Sequence, residues 1–491
     1  MVDESSTTQL AKKPKPEPQS GLDRYFEITQ RGSTVGTEIR AGVVTFFAMA
    51  YIIILNPLIL GTSPDSAGTI LGTSQVAAAT ALAAGILTIA FGVIAKYPFG
   101  VATGLGINTM VAVTLVGGHG LTWPEAMGLV VIDGIIIVLL AVSGFREAVF
   151  NAIPAPLKAA IGVGIGLFIA MIGFVDAGFV RRLPDAAQTT VPVTLGVNGS
   201  VGTWPTLVFV LGLLICGAMV VRNVRGGLFI GIILNTIIAM LVETFTHTGS
   251  SVENPGGWAL SVPLLPSGFG GMPDLSIVGA VDLFGAFSRI GVVASTLLVF
   301  TLVLANFFDA MGTMTALGKQ AKLADADGNL PGLKKALIVE GCGAILGGAT
   351  SCSSNTVYAD SAAGVGDGAR TGLANVVTGV LFIAAMFLTP LYEIVPIEAA
   401  APVLVVVGAM MIAQVTDIKW SDFTVALPSF LTIVVMPFTY SIANGIGVGF
   451  ISYTVMMIAA GKIREIHWIM WVVSVAFLIF FGMNPIMEAL A

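Results

Sequence analysis

Tyr97 to Asn108 reads YPFGVATGLGIN, and Gly347 to Gly368 reads GGATSCSSNTVYADSAAGVGDG. Both stretches fall where the surrounding apolar pattern calls for a membrane-spanning helix. Both are instead dense in Gly, Ser, Thr or Ala and poor in large apolar side chains. Non-helical backbone leaves N–H and C=O groups unpaired, which a bilayer tolerates only where protein or a water-filled cavity satisfies them. Two half-helix N-termini facing each other would offer N–H donors to a polar ligand. The plain alternative is that small residues merely let helices pack closely. That reading serves for either stretch alone. For two interrupted segments at corresponding positions of two halves, the binding site of a transporter is the better explanation.

The rest of the chain supports a membrane setting. Its 491 residues are 56% hydrophobic and only 10% charged, whereas a soluble protein keeps roughly a quarter of its residues charged. Much of the surface must therefore face lipid. The net charge of −6 is mild and gives no reason to expect nucleic acid. Cys216, Cys342 and Cys352 lie in apolar or small-residue stretches, with neither metal-ligand spacing nor a disulfide framework. The first twenty residues are polar and bear Pro and Lys, so residues 1–22 read as a disordered tail rather than a signal peptide.

A span needs about 20 apolar residues. Seven candidate spans read at 38–60, 74–96, 103–118, 123–145, 154–177, 205–221 and 227–245. Seven more follow at 293–318, 333–349, 357–366, 369–391, 398–416, 423–440 and 442–461. The Gly-, Pro- and Ser-rich stretch 246–287 separates a first repeat (23–245) from a second (288–461), and 462–491 adds one further apolar segment at 466–488. With a cytoplasmic N-terminus, the even-numbered turns hold Lys96, Arg146, Lys158, Arg222, Arg225, Lys319, Lys322, Lys334, Lys335, Arg370, Lys419, Lys462 and Arg464. This obeys the positive-inside rule, with Arg181 and Arg182 as the chief exception. An odd number of spans per half gives the halves opposite orientation. The expected fold is an all-α polytopic membrane protein, a 7+7 inverted repeat of about fourteen spans, with broken third and tenth spans forming the site.

Ionisable groups inside spans are costly, about 2.5–3.5 kcal/mol on insertion scales, and are functional candidates by default. Asp133, Asp309, Glu340 and Asp360 stand out. Asp133 is read as satisfying a neighbouring helix. Glu340 lies near Lys334 and Lys335, where an ion pair at headgroup level competes with a role in proton coupling. Asp367 and Arg370 are close enough in sequence to pair. Asp309, in LANFFDAMGTMTALGK, and Asp360, at the break of the tenth span, have the weakest structural explanations. A carboxylate shielded from water can exchange a proton near neutral pH, which a proton-coupled carrier requires. No enzyme constellation emerges: His119, His247 and His467 do not cluster, and the glycines at Gly104 and Gly106 precede no soluble βαβ pattern.

The strings FFAMAYIIILNPLIL (Phe46–Leu60), GFREAVFNAIPAPLKAAIGVGIGLFIAMIGF (Gly144–Phe174), ANFFDAMGT (Ala305–Thr313), NTVYADSAAGVGDGARTG (Asn355–Gly372) and MPFTYSIANGIGVGFISY (Met436–Tyr453) resemble the AzgA-like purine permeases. These are a branch of the nucleobase–ascorbate transporter superfamily, and the likeness runs from about Gly21 to the C-terminus. It implies core and gate domains, uptake of adenine, guanine or hypoxanthine with protons, a homodimer, and no cofactor, with sodium as the alternative coupling ion. It also implies that Asn108, Asp309 and Asp360 contact the base, with Thr103, Ala359 and Phe308 beside them, and that Asp360, Asp309 and Glu340 are the proton-coupling candidates. Asp360 replaces the family's usual Glu, Thr103 its usual proline, and Asn306 the first acid of its paired-acid string.

The expectation is a proton symporter for purine bases, working by alternating access as a multi-pass protein of the bacterial inner membrane. The alternatives are an anion permease of the related sulfate-transporter type, a uracil or xanthine permease, a channel, or a membrane-embedded enzyme. An anion carrier would want cations near the broken spans, and the candidate site here is acidic. An enzyme would need a nucleophile–base pair or metal ligands in the bundle.

Overall fold

A computed structural model describes residues 20–61, 64–144, 152–182, 193–196, 199–254, 256–259, 261–265, 268, 270–323, 330–391 and 394–482. Within the described helices, no side chain is described at positions 308, 309, 311, 312, 315, 316, 319, 320, 389, 390, 443 and 480.

The first half contains α1 (Val35–Leu60), α2 (Thr73–Ala95), the short strand β1 (Val101–Thr103), α3 (Leu105–Gly118), α4 (Trp123–Ser143) and α5 (Ala155–Asp176). A small hairpin, β2 (Val180–Arg182) and β3 (Val193–Leu195), precedes α6 (Trp204–Val221) and α7 (Gly227–Thr246). The second half contains α8 (Val292–Gln320), α9 (Leu333–Ala349), β4 (Asn355–Val357), α10 (Ala359–Asp367), α11 (Gly372–Leu388), α12 (Ile397–Asp417), α13 (Phe423–Phe438) and α14 (Ile442–Ala459). The last helix is α15 (Trp468–Phe481). Helix starts follow ordinary capping chemistry. At α4, Thr122 accepts from the Glu125 amide while Glu125 accepts from the Thr122 amide.

The helix packing carries the inverted repeat. Helix α4 packs on α9, and α11 packs on α2. Under a two-fold exchange of halves, α4 maps to α11 and α9 to α2, so one contact is the image of the other. The pairs β1–β4 and α5–α12 map onto themselves. Helices α1–α4 with α8–α11 form one bundle, and α5–α7 with α12–α14 form a second. These two bundles are the core and gate of a 7+7 inverted repeat.

Small residues set the closeness of these contacts. A Cβ added at Gly372 of α11 would lie 1.8 Å from the Gly92 carbonyl oxygen of α2. In the symmetric contact, a Cβ at Gly134 of α4 would lie 2.5 Å from the Ile345 amide of α9. Without a hydrophobic difference between lipid and helix, such backbone approach is what drives association in a membrane. Leu139, Leu214 and Phe430 point outward, as side chains facing acyl chains should.

Among the described residues, seven helices are long and apolar enough to cross a bilayer alone: α1, α2, α4, α5, α6, α7 and α12. The uniform spans expected elsewhere are modified. Helices α3 and α10 are half-helices preceded by strands, α10 meets α11 at a bend of 119°, and α13 and α14 form a hairpin of short helices. The 14-residue α15 is about 21 Å long, short of a roughly 30 Å hydrocarbon core. It lies along α14 and touches α8 through Phe477 and Phe300.

The segment between the halves is tied to both. Its buried Trp258 donates to Glu243 at 2.8 Å, the Ala259 amide donates to Glu398 at 2.9 Å, and the Gly279 amide donates to the Ala349 carbonyl at 2.7 Å. At the basic end of the bundle, Glu27 pairs with Lys96 (3.1 Å) and Arg31 (2.9 Å). Burial raises the Glu27 carboxyl, but the hydrogen bonds from Lys96 and Arg31 leave it below its ordinary range. The pairing expected between Asp367 and Arg370 is not made. Arg370 donates to the carbonyls of Val365 and Ala369, which close the end of α10, while Asp367 meets Arg40 and Arg225 instead.

Candidate substrate-binding site

The two Gly- and Ser-rich stretches meet. β1 and β4 run antiparallel with Val101 opposite Val357, Ala102 opposite Thr356 and Thr103 opposite Asn355. This ladder satisfies the unwound backbone inside the bundle, as a membrane interior demands. The Gly104 amide donates to the Ser354 carbonyl and the Tyr358 amide to the Gly100 carbonyl, both at 2.9 Å. The turn before β4 is tight: Ser351 (φ 58°) and Ser353 (φ 69°) take the left-handed conformation, uncommon for residues with a side chain.

Each strand then feeds a half-helix pointing away from the crossing. In α3 the first intrahelical donor is the Asn108 amide, 2.9 Å from the Gly104 carbonyl. The amides of Leu105, Gly106 and Ile107 come before it and have no partner within the helix. Those three residues line a cavity of about 130 Å³, together with Tyr358, Ala359 and Asp360 from the other half-helix. That volume is roughly tenfold what one water needs. Tyr51, Thr313 and Thr356 complete its polar core side, and the gate contributes Ile165, Ile169, Val407, Met411, Gln414 and Ile442. One wall therefore offers hydrogen bonds and the other a mostly apolar face, the usual make-up of a small-molecule pocket.

Asp360 is the charged residue of this lining among the described residues. It is half-buried, and its Oδ2 accepts a hydrogen bond from the Tyr51 hydroxyl at 2.8 Å. Tyr358 donates from its hydroxyl to the Thr103 carbonyl at 2.7 Å, locking one broken segment to the other. Both tyrosines are fixed by the bonds they make, so the carboxylate's orientation is set by the fold.

The remaining expected site residues are distributed differently. Ala359 lines the cavity beside Asp360. Asn108 and Thr103 are fully buried behind it. Asn108 donates to Asn56 (2.6 Å) and Thr103 (3.1 Å), and Asn56 donates to Thr80 (2.7 Å) and the Cys352 carbonyl (3.1 Å). This network ties α1, α2, α3 and the turn before β4. The side chains of Phe308 and Asp309 lie outside the described residues; both positions belong to α8. Glu340 is buried in α9 and is not part of the described cavity lining. Asp133 accepts from Asn306 at 3.0 Å, and Asn306 also donates to Ser354 at 2.8 Å. Asp133 thus serves a neighbouring helix, as the sequence suggested.

Tyr51, Tyr358, Thr313 and Gln414 were not singled out by sequence reasoning. Tyr51 carries a readable signal, a phenol in the apolar run FFAMAYIIIL, because a buried tyrosine hydroxyl usually finds a partner. Gln414 carries none, since its span is otherwise ordinary.

Residues 36–448 match the family model described as "Permease family". The chain is 36% identical over 465 residues to the guanine/hypoxanthine permease PbuG of Bacillus subtilis, covering 94% of this chain and 99% of that protein. It is 34% identical over 461 residues to the adenine permease AdeP of Escherichia coli, covering 94% and 96%. Among solved structures, the transmembrane domain of the cyanobacterium bicarbonate transporter BicA superposes with a TM-score of 0.56 at 16% identity, covering 87% of this chain and 97% of that one. The murine Solute Carrier 26 family member A9 anion transporter, in its inward-facing state, gives 0.58 at 11% identity, covering 88% and 69%. The structural likenesses speak for the fold alone, and the sequence matches establish the family: this chain is a multi-pass membrane protein that belongs to the permease family, on the side of its AzgA-like purine permeases.

Proposed function

We propose that this protein imports purine nucleobases with protons across the bacterial plasma membrane by alternating access, with its basic end and N-terminus in the cytoplasm. The observation that carries this reading is Asp360, held by Tyr51 at the mouth of a half-helix and facing a small cavity between core and gate. A neutral purine presents N–H donors and ring-nitrogen acceptors along its edges. The Asp360 carboxylate accepts from the donors, the amides at Leu105–Ile107 serve the acceptors, and Ile165, Ile169 and Val407 cover the ring. Protonation at Asp360, with Asp309 and Glu340 as further proton sites on α8 and α9, neutralises the loaded core and lets it move against the gate. Relatives named as guanine/hypoxanthine and adenine permeases support purines over other bases.

The second reading, an anion carrier, is favoured by the fold shared with bicarbonate and anion transporters. The lining disfavours it: among the described residues it holds a carboxylate and no Lys, Arg or His. Uptake of radiolabelled hypoxanthine, adenine, guanine and uracil into purine-transport-deficient cells, with and without a protonophore, separates the readings. The expected result is saturable accumulation of at least one purine that the protonophore collapses. A chain present in the membrane that accumulates no base, but moves sulfate or bicarbonate, sinks the proposal.

A further inference from the structure

A second cavity is far larger than the central one. About 1070 Å³ in volume, it opens at the end of the bundle opposite the basic end, where α5 finishes and α12 begins. Its polar lining includes Asp176, Glu398, Arg181 and Tyr440. A smaller cavity of about 200 Å³ lies between α1, α3 and α5 and shares Asp176, Ala259 and Tyr440 with the large one.

The three cavities lie in sequence along one face of α5, and α3 follows the inner two. On α5, Ile165 and Ile169 line the central cavity, Ile172 the intermediate one, and Asp176 both the intermediate and the large one. These positions are spaced by four, three and four residues, which is one face of a helix. On α3, Leu105 lines the central cavity and Thr109 and Ala112 the intermediate one, again at steps of four and three. A solute moving from the wide cavity to Asp360 along this line passes Asp176 and Tyr440 first.

Asp176 and Glu398 are equipped to hold such a solute. Glu398 is 2% exposed; its Oε1 accepts from the Ala259 amide at 2.9 Å, while its buried Oε2 has no hydrogen-bond partner among the described residues. A buried polar atom without a partner carries a desolvation cost that a ligand donor would relieve. Tyr440 sits at the neck in a left-handed conformation (φ 52°), at the tip of the α13–α14 hairpin, with its ring edge-on to Phe168. Strained backbone of this kind is tolerated where a side chain must be aimed.

We propose that Asp176 and Glu398 form a second, outer binding station, where carboxylate oxygens take the N–H edge of the entering base beside the Tyr440 ring before it reaches Asp360. This rests on the purine-import reading. Two carboxylates outweigh the single arginine of the lining, Arg181, and disfavour an anion at this station; no cluster of three or more metal-ligating side chains occurs among the described residues.

The test is initial-rate uptake of the purine that the unsubstituted chain accumulates, comparing Asp176→Asn and Glu398→Gln. Each change removes the negative charge and turns one acceptor oxygen into an N–H donor, which should raise KM about tenfold in each variant and leave the maximal rate within about twofold. A companion measurement keeps both acids intact. Val180→Cys, on the lining of the wide cavity, is introduced into a chain with Cys342→Ser and labelled from outside with a membrane-impermeant thiol reagent. Excess base should slow labelling severalfold. Unchanged KM in both variants, a changed sodium dependence at unchanged KM, or labelling indifferent to base overturns the outer station while leaving purine import intact. Absence of purine uptake by the unsubstituted chain is a separate result, and it removes the import reading on which the station rests.

Discussion

Asp360 is held by a hydrogen bond from the Tyr51 hydroxyl at 2.8 Å and by the strand crossing that puts α10 where it is. Replacing Asp360 with Asn keeps the shape and the acceptor oxygen but removes the exchangeable proton. The expected outcome is loss of protonophore-sensitive accumulation at an unchanged level of protein in the membrane; accumulation at the unsubstituted rate would remove Asp360 from coupling. Tyr51→Phe removes the donor and leaves the ring, so a milder fall in uptake, on the order of tenfold for one hydrogen bond to a charged group, is expected in the same assay. At this scale the sequence was informative where chemistry is conspicuous. An acid inside a Gly- and Ser-rich break is visible because both features are costly in a membrane. It was less informative about direction. Asn108 and Thr103 sit beside the glycines in sequence, but the first turn of α3 and the end of β1 direct their side chains into the Asn56 network behind the cavity. Which face of a half-helix meets the ligand depends on the angle at which the strand delivers it, and composition does not encode that angle.

Helix pairs explain why so much of this chain is glycine. Along α2 and α11, Gly92 and Gly372 bring backbones so close that a Cβ at Gly372 would lie 1.8 Å from the Gly92 carbonyl oxygen. Gly372→Ala should therefore lower the unfolding midpoint of detergent-solubilised protein, by the equivalent of about 1–3 kcal/mol for overpacking. Gly217→Ala, on α6 where an added Cβ meets nothing within 4 Å, should be neutral or slightly stabilising in the same thermal assay, since Gly costs about 0.5–1 kcal/mol in a helix. Equal midpoints for the two variants would mean the α2–α11 contact is not set by its glycines. Element positions were legible because hydrophobic run length is a strong signal. The short α13–α14 hairpin and the fate of α15 were not, because an apolar run of 14 to 18 residues looks the same whether it crosses, pairs halfway or lies along the bundle.

At the scale of the whole molecule, two bundles built from both halves of the sequence must move against each other for transport, so contacts that join them at one end bias the resting state. One such contact is explicit. Asp367, at the end of α10 in the core, is buried, and Arg40 of α1 donates to its Oδ2 at 2.6 Å. Arg225, from the α6–α7 turn of the gate, places Nη2 2.5 Å from Oδ1, close enough for an ion pair though not aligned as a hydrogen bond. The same turn presses Gly226 against Phe47 of α1, and Phe229 of α7 lies 6.1 Å from the Phe47 ring. Removing Arg225 leaves Asp367 compensated by Arg40, so Arg225→Ala should fold and reach the membrane. The arginine is largely exposed, and pairs of that kind are worth at most about 1 kcal/mol, so the two-state balance should shift no more than about fivefold toward opening at this end. A covalent replacement gives a larger effect. With cysteines at 225 and 367 in a chain whose Cys342 is Ser, oxidation should arrest uptake and a reductant should restore it, because the turn and the half-helix must part in each cycle. Undiminished uptake by the oxidised pair, with cross-linking confirmed by mass spectrometry, would show that core and gate move without separating here, and the hinge would then have to lie at this basic end.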